Sequence, residues 1–485
     1  MIIYQMLPRL WGNGRMSGVD SQTFEYLKTL GVTHVWYTGI IRHSTAQPFV
    51  KGNPGSPYAI SDYYDVNPYL ADSEDQRMSD FEDLVRRSHD AGLKVIIDFV
   101  PNHVGRDYGR ERCRTDIKYL GDGDDTSCHW KASNDFYYYP GQQFVMPVPG
   151  EFREMPAKAT GNCFTPAPSA DDWYDTVRLN YCDFHTPTWD KMLDILMFWA
   201  SKGVDGFRCD MVELVPPQFF TWAIARMRES HPGIIFIAEV YNRDTYASYI
   251  REVGFDFLYH KSGFYDTIRA IMAQTAPTHQ LSGDWQRLGD LQPHMLSFLE
   301  NHDEQRFASP SFGRDAANTA APLYMSAAFN DAPFMIYFGE EVGEDASTEG
   351  NRRTSIFEWR HYPSIDRLYA NIHGEGELTE TEAEYLQRYR EIALIAKEPA
   401  FQSGKTFDLS YANGPAQGFN QDRQFAFLRS DGEDTYLVVS NFDDNKVEMN
   451  INIPVHASEY LGVALKAAEN GVPVTVAARD AVIIK

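Results

Sequence analysis

Residues 79–104 read SDFEDLVRRSHDAGLKVIIDFVPNHV. Ser79 and Glu82 stand in a capping-box pattern, where a hydroxyl and a carboxylate three residues on satisfy the first free N–H groups of a helix. Phe81, Leu84 and Val85 follow at helical spacing as a buried stripe, and Gly92 closes the helix. Leu93–Val100 is then a β-branched apolar run. A short strand buried on both faces, entered from a helix, belongs to a parallel sheet with helical crossovers.

The same unit recurs along the chain. Phe24, Leu27 and Leu30 form a helical stripe, Gly31 follows, and Val32–Trp36 reads as strand. Trp189, Met192, Leu193 and Leu196 repeat the stripe, and Gly203 precedes Val204-Asp205-Gly206-Phe207. His231-Pro232-Gly233 leads into the apolar run Ile234–Ala238. The alternation continues to about residue 400, which favours a (β/α)8 TIM barrel over a Rossmann-type sheet. No Gly-rich phosphate turn follows any of these strands, as a dinucleotide site would need.

Two stretches break the rhythm. Residues 105–175 are rich in Asp, Gly, Pro and Tyr without a helical stripe, and a structureless loop of that length is implausible. They read as a domain inserted after strand three. From residue 405 the pattern becomes alternating strands, with turn signals at Asp431-Gly432 and Asp443-Asp444-Asn445. The expected organisation is a barrel over 1–104 and 176–404, an inserted domain over 105–175, and a C-terminal antiparallel β-sandwich over 405–485.

Composition sets outer bounds. Of 485 residues, 68 are Asp or Glu and 44 Lys or Arg, a net charge of -24 that argues against nucleic acid. No run approaches the roughly 18 apolar residues of a membrane span. The 14% aromatic content suits a large core and equally suits flat platforms for sugar faces. The five cysteines (113, 128, 163, 182, 209) lack a C-x-x-C pair, so zinc and redox roles are disfavoured and reduced thiols expected, with one bridge among the first three as the alternative. The start Met1-Ile2-Ile3-Tyr4 lacks the pattern of a signal peptide, which with the thiols points to the cytoplasm. A secreted or periplasmic chain with its leader removed would read the same. Nothing in the sequence fixes the oligomeric state.

In a barrel, reactive groups sit where strands end. Polar groups follow apolar runs at four such places: Asp98-Phe99-Val100-Pro101-Asn102-His103, Gly206-Phe207-Arg208-Cys209-Asp210, Ala238-Glu239-Val240, and Phe298-Leu299-Glu300-Asn301-His302-Asp303. The set suits glycosidic bond cleavage, whose oxocarbenium-like transition state needs a nearby carboxylate and a proton donor. Arg208, two residues from Asp210, is expected to keep that carboxyl ionised. Glu239 has no close partner in sequence and follows an apolar run, a setting expected to keep it protonated. His103 and His302 can donate hydrogen bonds to hydroxyls. Glu300 and Glu304 compete with Asp303 for the third carboxylate role.

At these residues the sequence resembles the α-amylase family of retaining glycoside hydrolases, as it does at Tyr4–Arg9 and Pro333–Gly343. The resemblance spans nearly the whole chain. It implies Asp210 as nucleophile, Glu239 as acid/base and Asp303 as transition-state stabiliser, with Arg208 orienting Asp210. His103, His302 and Tyr58 would contact the reactive sugar of an α-glucan or malto-oligosaccharide, Tyr58 by stacking. Without the motif, Tyr58 would read as a loop aromatic packed on the insert.

Three departures matter. Glu213-Leu214 stands where many α-amylases carry a Lys-His pair, which puts Glu213 either on the acceptor side or out in solvent or paired with a loop arginine. Val177-Arg178-Leu179-Asn180 is nearer the neopullulanase-like form. The loop Trp11-Gly12-Asn13-Gly14 lacks the acidic calcium loop of some relatives. A second calcium site common in the family would use Asn102, with Asp122, Asp124 or Asp125 as partners; the chemistry itself requires no cofactor. Kindred readings remain open: an α-glucosidase, a glucan-transferring enzyme, an inactive scaffold subunit, or a carbohydrate-binding role for the C-terminal domain.

Overall fold

The computed structural model describes residues 1–465 and 471–485. Eight parallel strands close into a barrel: Ile2–Met6, His34–Tyr37, Lys94–Phe99, Gly206–Cys209, Ile235–Ala238, Phe257–Tyr259, Met295–Phe298 and Phe334–Tyr337. Each pairs with the next in sequence, and the eighth returns to the first in the register Ile2↔Phe334. Their side chains are buried on both faces, inward against one another and outward against the helices, which is why the runs read as continuously apolar.

One local expectation is corrected. The helix before the third strand spans Arg77–Asp90, so Ser79 lies inside its first turn, donating from its hydroxyl to the Gln76 carbonyl at 2.7 Å. A 3-10 turn over Glu74–Gln76 runs straight into the helix, and the chain is already wound when it reaches Ser79. A true capping box occurs at Thr379 and Glu382, which starts the helix Glu380–Ile395.

The chain leaves the barrel after the third strand along His103–Gly105 and returns along Thr176–Arg178, and these two segments pair antiparallel. Between them lies one small hairpin, Tyr138–Tyr139 with Ala157–Lys158. Phe49, Phe144, Ala157 and Tyr174 give this region its own small core. Buried Arg106 contacts Glu154 at 2.8 Å and covers the Phe144 ring at 3.6 Å. Lys191 and Thr188, on the helix Pro187–Ser201, both reach the buried Asp135 carboxylate and tie the region to the barrel.

Beyond the barrel a four-stranded antiparallel sheet (Lys405–Asp408, Gln424–Ser430, Thr435–Asn441, Ala481–Ile484) faces a two-stranded one (Val447–Ile451, Val472–Val476). Leu428, Val439, Met449, Ile451, Val474 and Val476 fill the space between. The sheets rest on the barrel through Phe329, whose ring meets Phe425 and Phe427 at 5.1 Å each. All five cysteines are free thiols. Among the described residues no helix is long and apolar enough to cross a membrane.

Candidate active site

Arg208 sits on the fourth strand with its side chain fully enclosed. Its Nη1 contacts Asp210 Oδ1 at 2.7 Å and Asp98 Oδ1 at 3.8 Å. Its Nη2 contacts Glu239 Oε2 at 2.9 Å and Asp303 Oδ2 at 4.0 Å. Nε donates to the Tyr259 hydroxyl at 3.0 Å. One guanidinium thus gathers four carboxylates from the third, fourth, fifth and seventh strand ends. Burying one of these charges alone would be prohibitive; sharing a planar cation is what makes the cluster tolerable.

Asp210 and Glu239 continue their strand ladders, through N–H bonds to Phe99 (2.9 Å) and Cys209 (3.2 Å). Glu239 accepts the Met211 N–H at 2.8 Å and the Tyr241 hydroxyl at 2.5 Å. Met211 holds φ 45° and ψ 44°, a left-handed conformation that a non-glycine residue adopts at a cost, and its bond to Glu239 is what that conformation secures. Asp303 is aimed by an Asx turn, Asn301 Oδ1 accepting from the N–H groups of Asp303 (2.8 Å) and Glu304 (3.0 Å).

His302 is held on both sides. The Gln5 amide donates to Nδ1 at 2.7 Å, which leaves Nε2 facing the Tyr58 hydroxyl (2.6 Å) and Asp303 (3.0 Å). The Tyr58 ring stacks on His302 at 5.2 Å, and its hydroxyl also donates to Asp98 at 3.2 Å. Tyr58 is therefore part of the carboxylate cluster rather than packing for the insert. A cleft of about 270 Å³ opens over these groups, lined by Tyr58, His103, Asp210, Glu239, His302 and Asp303.

Six of the seven residues expected at the site from sequence line this one cleft. Arg208 does not: it lies beneath the carboxylates, so it is a positioning group and not a substrate contact. Glu300 is buried on Arg306 at 2.7 Å, and Glu304 accepts the Tyr265 hydroxyl at 3.0 Å, which leaves Asp303 as the carboxylate facing the cleft. Sequence reasoning missed Trp36 and Tyr259, and it quoted Asp98 without giving it a role. Trp36 Nε1 donates to Asp98 Oδ2 at 3.1 Å, completing the support behind Tyr58. A carboxylate inside an apolar strand was the available signal for Asp98.

The electrostatics correct one expectation. Burial, and then the negative charge of Glu239, push the Asp210 carboxyl well above the usual carboxylate range, with Arg208 opposing them. Arg208 does not act on Asp210 alone, because its other arm is committed to Glu239. Glu239, which has no close partner in sequence, has three in the structure. Against desolvation, His302 and Arg208 hold Asp303 down at about 2. Burial and Arg178 lower His103 to about 3, so it meets a ligand as a neutral ring.

Glu213 is exposed, as one of its two expected positions has it, but its carboxylate is engaged. Its Oε2 accepts the Tyr241 N–H at 2.9 Å and its Oε1 the Asn242 N–H at 3.1 Å, clamping the loop after the fifth strand. Since Tyr241 holds Glu239, Glu213 helps to position the Glu239 carboxyl. Glu213→Ala removes two charge-assisted bonds, roughly 1.5–3 kcal/mol each. It is expected to lower kcat on maltotriose several-fold more than on an aryl glucoside with an activated leaving group, with Glu213→Gln recovering part of the loss. Equal falls on both substrates would leave Glu213 a structural cap only.

The residues nominated for calcium do not fit the ion. The Asn102 amide donates to the Gly161 carbonyl at 3.0 Å. Asp122 takes two N–H groups of Arg112 (2.9 and 2.8 Å), and Asp125 takes Ser127 and Lys131. Asp124 accepts two N–H groups and the Tyr138 hydroxyl. A hard cation needs free oxygen ligands, and here the oxygens of the three aspartates face donors, two of them cationic. Among the described residues Asp62, Asp65 and Cys113 alone cluster with metal-ligand spacing, but Asp65 is neutralised by Arg42 and Arg77 and Asp62 accepts three donors. A chelator is therefore expected to leave Tm unchanged, while Lys191→Met, which strips the cation from Asp135, lowers it by several degrees. A clear drop in Tm on chelation, reversed by calcium, would contradict this.

The family model of the α-amylase catalytic domain matches residues 9–358, nearly three quarters of the chain. The chain belongs to the α-amylase family. The model of the α-amylase C-terminal all-β domain matches residues 419–483 as well. Over 468 residues the chain is 24% identical to alpha-amylase 3 of Dictyoglomus thermophilum, covering 90% of this chain and 82% of that one. It is 22% identical to a cyclomaltodextrinase of a Bacillus species, covering 90% and 67%. The maltogenic α-amylase AmyB of Thermotoga neapolitana shares the fold with a TM-score of 0.66 at 20% identity, covering 100% of this chain and 96% of that one. This α-amylase-family chain is a glycosidase, and its cleft holds Asp210, Glu239 and Asp303.

Proposed function

We propose that this α-amylase-family glycosidase cleaves α-1,4-linked glucans or malto-oligosaccharides with retention of anomeric configuration. The observation that carries the reading is the placing of Asp210 and Glu239 on the two arms of one guanidinium. Carboxyls held side by side in this way suit a retaining pair, about 5–5.5 Å apart, rather than an inverting pair with a water between them.

Asp210 attacks the anomeric carbon while Glu239 gives its proton to the departing glycosidic oxygen. Glu239, now ionised, takes a proton from water, which displaces the sugar from Asp210. Asp303 and His302 hold hydroxyls of the reacting sugar, and neutral His103 adds a donor from the opposite wall. The Tyr58 ring supplies the apolar face. Two carboxylates suffice for this displacement, and no Lewis acid enters it.

Product analysis on starch, maltotriose, pullulan and trehalose tests the reading. Expected are short malto-oligosaccharides and glucose from starch and maltotriose, with little from trehalose. Products longer than the substrate would assign the intermediate to sugar acceptors and make the protein a glucan-transferring enzyme. No new reducing ends from any α-glucan would overturn the proposal.

A further inference from the structure

A second charged pair faces the cleft from its insert side. Asp175, 4% exposed, lines the cavity, as does Lys51. Among the described residues no other side chain donates a hydrogen bond to the Asp175 carboxylate, and Lys51 Nζ stands 3.8 Å from its Oδ1. Lys51 is itself fixed, donating to the Asp172 carbonyl at 2.7 Å and lying over the Tyr174 ring at 4.4 Å. Asp175 is fixed too, since its carbonyl accepts the Arg106 N–H at 3.1 Å at the root of the inserted region. The Trp173 ring lies 5.3 Å from His103 and lines the same wall.

A cleft-lining carboxylate that takes no side-chain hydrogen bond, with its cation 3.8 Å away, keeps acceptor capacity for a ligand. The pair offers an acceptor and a donor a few ångströms apart, beside a flat ring. That combination matches vicinal hydroxyls of a neutral sugar, each able to donate to Asp175 and accept from Lys51. A cation would meet Lys51, and an anion Asp175. Around the barrel mouth Lys51 follows the second strand and Asp175 precedes the fourth, whereas Glu239 ends the fifth. The pair therefore lies across Asp210 from the proton donor, on the glycon side.

We propose that Lys51 and Asp175 form a hydroxyl-binding subsite for the glycon-side sugar next to the reacting one, and that this subsite makes the enzyme favour substrates with two glycon units over one. The inference rests on the glycosidase cleft proposed above. The test compares kcat/KM on an aryl α-maltoside with that on an aryl α-glucoside, in wild type, Asp175→Asn and Lys51→Met. The maltoside-to-glucoside ratio is expected to exceed one in wild type and to fall at least tenfold in each variant. An unchanged ratio in both folded variants overturns the subsite. Should Asp175→Asn fail to fold, Lys51→Met on its loop decides alone. If wild type cleaves neither substrate, the assigned chemistry fails instead, and calorimetry of maltose binding decides the subsite: tenfold weaker binding in Lys51→Met upholds it, equal binding overturns it.

Discussion

Asp210→Asn is expected to lower kcat on maltotriose by about ten-thousand-fold, about 5.5 kcal/mol of transition-state stabilisation, with the fold intact. The amide keeps the shape of the side chain, and its oxygen can still accept from Arg208, but it cannot form the glycosyl ester. The same change should not cost stability. In the folded protein the Asp210 carboxyl is raised by burial and by Glu239. Such a group adds stability below its unfolded pKa and loses it as pH rises through the folded one. At neutral pH the ionised carboxyl therefore burdens the fold, and the neutral amide should match or exceed the wild-type Tm. Calorimetry alongside kinetics checks both halves. Retention of more than a few per cent of activity in a folded variant would remove Asp210 from the nucleophile role.

Glu239→Gln carries the second large effect. General acid catalysis contributes about 10²–10⁴-fold, so maltotriose turnover should fall by that order. An aryl glucoside whose leaving group needs no proton should be spared most of the loss in the first step. The variant also reports on Asp210. Burial and then the Glu239 charge raise the Asp210 carboxyl above its ordinary 3.8, so the acid limb of kcat/KM should lie above that value in wild type. Activity is lost as pH falls and Asp210 takes a proton. The glutamine is neutral, like the protonated acid that Glu239 must be in order to donate, and the burial of Asp210 is unchanged, so the acid limb should stay above 3.8 in Glu239→Gln. A limb at or below 3.8 in both proteins would show that burial does not raise the Asp210 carboxyl.

The barrel was legible because its strands are buried on both faces, so that Leu93–Val100 and Ile234–Ala238 announce themselves without alternation. Phe257–Tyr259 was not, since three residues between irregular helices at Tyr249–Val253 and Lys261–Tyr265 carry no period. The candidate site was legible where a polar residue interrupts or ends an apolar run, as at Asp210, Glu239 and Asp303. It was hidden where the partners come from different strands. Trp36 and Tyr259 look like ordinary core aromatics until Arg208 and Asp98 are brought beside them. The same limit reversed the expected direction at Asp210: the sequence shows Arg208 two residues away, but Glu239 arrives from the neighbouring strand. The loop clamp made by Glu213 was hidden because its partners are backbone N–H groups nearly thirty residues on. The surroundings of Asp122 were hidden in the same way, since Arg112 folds back onto it and occupies both its oxygens.

In the proposed mechanism Asp210 becomes covalently bound to the sugar. Incubation with a fluorinated α-glucosyl fluoride, which forms the intermediate faster than it hydrolyses, followed by mass spectrometry of the digested protein, tests it most directly. The expected result is one added sugar on the peptide containing Asp210. A sugar on Glu239 or Asp303, or turnover of the reagent with inverted product and no adduct, would contradict it.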